Sequence, residues 1–169
     1  MDFTLKTYHK LLSSLIAQGY TFQTFAEFLE NPAPRCIILR HDVDLRPEYS
    51  LRFARIQHEL GIRGSYYFRI VPESFDEKII REIASLGHEI GYHYETMHEA
   101  SKKLNVQGAK IDEDELRELA RELFQEHLAR FREIYPVKTI CMHGSPLSKY
   151  DNRDLWGKHQ TPSTKLQTN

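Results

Sequence analysis

The chain has 169 residues, of which 40 % are hydrophobic and 28 % charged, with a formal net charge of −1. That length fits one hydrophobic core, and the composition excludes a disordered chain. A balance this close to zero offers no basic excess for a phosphate backbone, and no apolar run reaches membrane-spanning length, so neither nucleic acid nor a membrane span is expected.

From Phe3 to Tyr20, Leu5, Tyr8, Leu12, Leu15 and Ile16 recur at helical spacing, with Gly19 as a stop. Thr24 to Glu30 reads as a short second helix, closed by Asn31-Pro32-Ala33-Pro34 because two prolines cannot continue it. Residues 1–34 are thus expected to be an N-terminal helical extension. Cys36 to Leu39 is a continuous apolar run, as a buried parallel strand requires, and the polar cluster Arg40 to Arg46 ends it as a loop. Pro47 suits the first position of a helix whose face is marked by Tyr49, Phe53, Ile56 and Leu60.

The unit then repeats. Ser65 to Ile70 is strand-like, Phe75 to Leu86 carries Ile79, Ile80, Ile83 and Leu86 on a helical stripe, and Gly87 closes it. His88 to His93 is a third strand, Asp112 to Tyr135 a long amphipathic helix, and Thr139 to Met142 a fourth strand. This alternation predicts an α/β fold with a parallel sheet and ligands gathered at the C-terminal ends of the strands. Gly157 to Asn169 is polar and aperiodic and reads as a disordered tail. Cys36 and Cys141 fall in apolar strand segments and are expected to be buried thiols rather than a disulfide. The N-terminus lacks the basic and apolar segments of a secretory signal, which points to a cytoplasmic protein.

Three clusters sit where strands give way to loops. In Arg40-His41-Asp42-Val43-Asp44, strand alternation puts both carboxylates on one side, where a metal ion would relieve their repulsion; Asp44 could instead cap the helix that begins at Pro47. Gly87-His88-Glu89-Ile90-Gly91-Tyr92-His93 ends in a histidine able to meet Asp44 as a metal ligand, with Glu89 and Gly91 on the His93 side and His88, Ile90 and Tyr92 on the other. Met142-His143-Gly144-Ser145-Pro146 brings His143 to the same edge as a ligand, an acid or a hydrogen-bond donor. No Gly-rich phosphate loop, nucleophile elbow or paired-cysteine motif is present, so hydrolysis with metal-activated water fits best.

In order and spacing, RHDVD, GIRGSYYFRI and LGHEIGYHYE resemble the NodB homology domain of polysaccharide deacetylases, over about Arg35 to Trp156. The resemblance implies a partial (β/α) barrel that removes an N-acyl group from an amino sugar or surface-glycan precursor. It implies Asp42 as base, and Asp44 and His93 as ligands of a divalent ion (zinc first; nickel, cobalt or iron as alternatives); His143, from its place at the same edge rather than from the resemblance, is the candidate catalytic donor of a proton or hydrogen bond. Arg40, Arg46, Tyr94 and Glu95 would bind substrate or hold Asp42 ionised. The family's second histidine lies four residues after the first, where this chain has Met97; His98, His143 and Glu95 are the three alternatives for the third ligand. CMHGSP stands in place of the family's Arg-Pro-rich stretch, and the match stops near Trp156, before further strands of the family. An incomplete barrel would require an oligomer or a partner chain to complete it, and the rival reading is an inactive fragment serving as a binding or assembly module.

Overall fold

A computed structural model describes residues 4–104, 111–144 and 148–157. Ser145 and Pro146 of the third cluster, and the expected tail beyond Gly157, lie outside the described residues. The chain divides into two compact units, Met1–Tyr94 with His127–Cys141, and Glu95–Glu126 with Met142–Asn169.

The first unit opens with helix α1 (Leu5–Ala17), started by Thr4, whose hydroxyl accepts from Thr7 N. Its core-facing residue is Leu12, fully buried, while Tyr8 meets Phe53 edge-on at 4.7 Å. Helix α2 (Phe25–Glu30), expected from Thr24 to Glu30, begins with a complete capping box between Thr24 and Glu27. Between them Thr21–Gln23 forms strand β1, which the sequence reading does not contain. It pairs in parallel with β2 (Cys36–Ile38).

The expected strand from Cys36 to Leu39 stops at Ile38, and its residues are half-buried rather than buried. Leu39 breaks the chain between two sheets, its carbonyl accepting from Ser65 N at 2.8 Å. Arg40–Val43, expected as loop, is strand β3: its backbone finds a full set of partners on β4 (Ser65–Phe68), which outweighs the polar character of its side chains. Strand β5 (Glu89–Tyr94) pairs in parallel on the far side of β4, and β6 (Ile140–Met142) follows β5. This four-stranded sheet, β3-β4-β5-β6, follows chain order, consistent with a partial β/α fold.

Period-two alternation gives the sheet two unlike faces. The outer face carries His41 and Val43, Tyr66 and Phe68, then His88, Ile90 and Tyr92, and helices cover it. Helix α3 (Pro47–Glu59) packs against β3, α1 and α4 (Glu77–Ser85), and α4 packs against β5. Tyr92 rests on Phe131 of the last turn of α6 (Glu113–Arg132) at 5.3 Å, and Phe131 meets Phe75 at the same separation.

Polar groups within this layer are paired. Gln57, fully buried, donates through Nε2 to Tyr8 Oη and His41 Nε2, each at 2.6 Å, and accepts from Tyr66 Oη at 2.9 Å. His41 stacks on Tyr66 with centroids 4.4 Å apart. His88 Nε2 donates to Ala54 O and its Nδ1 accepts from Gly64 N.

The inner face is polar: Arg40 and Asp42, Ser65 and Tyr67, Glu89, Gly91 and His93, Thr139 and Cys141. Glu89 is 3 % exposed and accepts from Ser65 Oγ, Thr139 Oγ1 and Ala26 N. Because Thr139 donates to Glu89, it accepts from Tyr67 Oη at 2.8 Å. The Tyr67 ring lies across Gly91, where a Cβ would come within 2.3 Å of the ring and 3.1 Å of Thr139 O.

In the second unit, helix α5 (Thr96–Leu104) is an element the sequence reading does not contain. A short 3-10 helix (Asn152–Trp156) anchors it: Asn152 Oδ1 accepts from Met97 N and His98 N, and its Nδ2 donates to His143 O. Phe124 of α6 meets Trp156 edge-on at 5.3 Å, and Arg121 Nε donates to Leu155 O. Among the described residues no helix is long and apolar enough to cross a membrane.

Two consequences are measurable. Gly91→Ala pushes a methyl group into the Tyr67 ring and should destabilise the protein by about 3 kcal/mol, read from denaturant unfolding. Burial, reinforced by His88, lowers the His41 pKa to about 4. Between pH 6.5 and 4 the unfolded chain therefore binds a proton at this site that the folded chain does not, and stability falls as pH drops through that window, by roughly 3 kcal/mol in all. The slope of stability against pH there should flatten in His41→Gln.

Candidate metal centre

The C-terminal ends of β3, β5 and β6 bring side chains of the inner face together. Asp42 points inward from β3 and is clamped from below by Arg40 of the same strand, whose Nε donates to Oδ1 at 2.8 Å and Nη2 to Oδ2 at 2.7 Å. The guanidinium also lies over the Tyr67 ring, 5.5 Å from its centroid, so the layer beneath fixes the clamp. Burial pushes the Asp42 carboxyl up, but the Arg40 hydrogen bond, the neighbouring His93 and the Arg40 charge outweigh it and hold the group below the usual carboxylate range.

His93 comes from β5, its side chain only 4 % exposed. Its Nδ1 lies 3.3 Å from the backbone oxygen of Cys141 on β6 and 2.8 Å from the Cys141 sulfur. A carbonyl oxygen can only accept, so Nδ1 carries a hydrogen, and in the neutral ring Nε2 is the nitrogen that offers a lone pair to a metal ion. That nitrogen is 3.6 Å from Asp44 Oδ1, two residues beyond Asp42. Two donors on one zinc ion, each about 2.1 Å from it in tetrahedral arrangement, stand about 3.4 Å apart. The pair therefore fits a divalent cation, with a small movement of the half-exposed aspartate, and the nitrogen and oxygen donors suit zinc and its neighbours.

A second set of ligand atoms, on Asp42, His93 and Cys141, lies within 4.8 Å of one another. Using it would require His93 Nδ1 to lose its hydrogen and the Cys141 thiol to ionise. Burial, followed by the charge of Asp42, pushes that thiol up to about 12. The Nε2 side of His93 is accordingly the favoured side for an ion, and Cys141 stays a thiol, its S–H donating to Asp42 Oδ1 at 3.7 Å.

The first unit thus unites Asp42, Asp44, His93 and Arg40. Asp44 does not cap α3; that position is Arg46, in the left-handed region at φ 53°, with no side-chain cap bond. Arg46 is exposed, its N–H donating to Glu73 O. Tyr94 ends β5 on the face opposite His93, buried, with its ring 6.3 Å from Tyr92. Glu95, His98 and His143 belong to the second unit. There the Glu95 carbonyl accepts from the N–H groups of His98 and Glu99 at the start of α5, and His143, half-buried, follows β6.

Sequence reasoning passed over Cys141 and Tyr67. Both were in reach of the alternation rule: Cys141 is two residues before His143, and Tyr67 is the register partner of Asp42. Cys141 is half-buried and free rather than fully buried, as is Cys36. No family model, curated protein or solved structure matches the chain.

Because Arg40 is the chief group that lowers the Asp42 pKa, Arg40→Met should raise it. Carboxyl carbon shifts followed through a pH titration would show the midpoint of Asp42 moving upward, while an unchanged midpoint would assign the lowering to His93 instead.

Proposed function

We propose that the chain is a metal-dependent hydrolase that removes an N-acyl group from an amino sugar or glycan precursor, the activity implied by the resemblance of its RHDVD and LGHEIGYHYE segments to polysaccharide deacetylases. The observation that carries the reading is the placing of His93 Nε2 beside Asp44, with a second carboxylate, Asp42, held separately by Arg40. One carboxylate is thereby available to an ion and the other to a proton.

Asp44 and His93 would hold the divalent ion, zinc first, with nickel, cobalt or iron as alternatives. When bound, such an ion polarises an acyl carbonyl and acidifies water. Asp42 serves as general base, because the Arg40 clamp keeps it ionised while Oδ2, which accepts only from Arg40, keeps a second lone pair to take a proton from the attacking water. Arg40 stays bonded to the carboxylate throughout and limits its rotation. Collapse of the tetrahedral adduct expels the amine, with the proton taken up by Asp42 as the nearest source for the leaving nitrogen. Products are acetate and the free amino sugar.

Purified protein reconstituted with zinc should bind close to one equivalent, and Asp44→Ala and His93→Ala should each lose it. Asp42→Asn should retain the metal while turnover of an N-acetylated amino sugar falls by about 10²–10⁴-fold, the usual worth of a general base. Metal binding with no turnover would assign the chain to a binding or assembly role. Turnover that survives in Asp42→Asn would remove Asp42 from the chemistry.

A further inference from the structure

We propose that Cys141 is a positioning residue that ties the metal-binding histidine to the catalytic base; the proposal rests on the roles assigned above to His93 and Asp42. Strand β6 approaches His93 with two acceptors from a single residue, the backbone oxygen at 3.3 Å and the sulfur at 2.8 Å from Nδ1. The same sulfur donates its own hydrogen to Asp42 Oδ1 at 3.7 Å. The direction of the chain is fixed by its ends: Nδ1–H must donate, since a carbonyl shares it, and an ionised carboxylate must accept. The thiol therefore accepts from the ligand and donates to the base, a single side chain holding both.

Histidines that bind metals are commonly oriented by an acceptor for the other ring nitrogen, most often a carboxylate or carbonyl, and losing that partner weakens metal binding. Here a thiol shares that task, and a thiol is fitted to it in a way that a carboxylate is not. A carboxylate at position 141 would place a second negative charge beside Asp42 and raise its proton affinity. A neutral S–H accepts from His93 while adding no charge, and gives Asp42 a further donor beside the two from Arg40. Asp42 Oδ1 thus receives hydrogen bonds from both Arg40 and Cys141, which fixes the carboxylate plane, and the His93 ring is fixed by the same residue. The distance between base and ligand is set through one sulfur atom.

The test uses the full chain with Cys141→Ala, which removes both side-chain bonds, and Cys141→Ser, which keeps a group able to accept and donate. Thermal melts establish that both variants fold. Zinc affinity is measured by chelator competition, and kcat and KM with an N-acetylated amino sugar. Cobalt-loaded protein is examined for a sulfur-to-cobalt charge-transfer band. The expected result is zinc binding weakened by about 10–100-fold in Cys141→Ala, with kcat lowered by a similar factor, KM little changed, substantial recovery in Cys141→Ser, and no charge-transfer band in the wild-type protein. Wild-type zinc affinity in Cys141→Ala overturns the proposal. So does a charge-transfer band that disappears with Cys141, which would make the sulfur itself a ligand. If the wild-type chain binds zinc but hydrolyses no acyl sugar, the proposed activity fails while the zinc affinities still decide the role of Cys141; a wild-type chain that binds no zinc overturns both.

Discussion

Everything at this centre depends on the period of two in four neighbouring strands. Each strand offers its odd and even residues to opposite faces, and in this sheet one set is aromatic and aliphatic while the other is almost wholly polar. The apolar set is covered by helices. Of the polar set, the buried members Tyr67, Glu89, His93 and Thr139 must find partners within the protein or lose more than burial returns, while Arg40 and Asp42 at the exposed edge pair with one another. The set finds them because the strands run parallel and in a register that stacks Asp42 beside Tyr67 and Tyr67 beside Gly91.

Gly91 is the point at which this arrangement is tightest. With no side chain on that residue, the Tyr67 ring can cross to the residue just before β6 and donate its hydroxyl hydrogen to Thr139, which in turn donates to Glu89. The ring also lies under Arg40, so that the residue that holds the base stands on a floor fixed by the Tyr67–Thr139 hydrogen bond. A buried polar chain of this kind is stabilising only when every member is satisfied.

Much of this was legible in the residues. Alternating apolar runs and helical stripes located α1, α2, α3, α4, α6 and four strand segments, and the alternation in GHEIGYH correctly separated His93, Gly91 and Glu89 from His88, Ile90 and Tyr92. What escaped was whatever depended on partners distant in the chain. Thr21–Gln23 is too short to announce a strand, and forms one because β2 lies alongside. Arg40–Val43 carries the polarity of a loop but has backbone partners on β4. α5 starts where no side chain of its own signals a start, because its cap comes from Asn152, more than fifty residues later. Cys141 resembled a core thiol, since hydrophobic neighbours in sequence say nothing of the histidine and aspartate that meet it in space.

Asn152 has a consequence for how the second unit comes apart. Its one amide group receives two N–H bonds from the first turn of α5 and gives one to the carbonyl of His143, so three backbone groups from two distant stretches share a single side chain. Neither stretch can open alone without stranding polar groups that are otherwise buried, because Asn152 is 2 % exposed. The start of α5 and the 3-10 turn therefore unfold as one cooperative unit, and local fraying at either end is suppressed by the other.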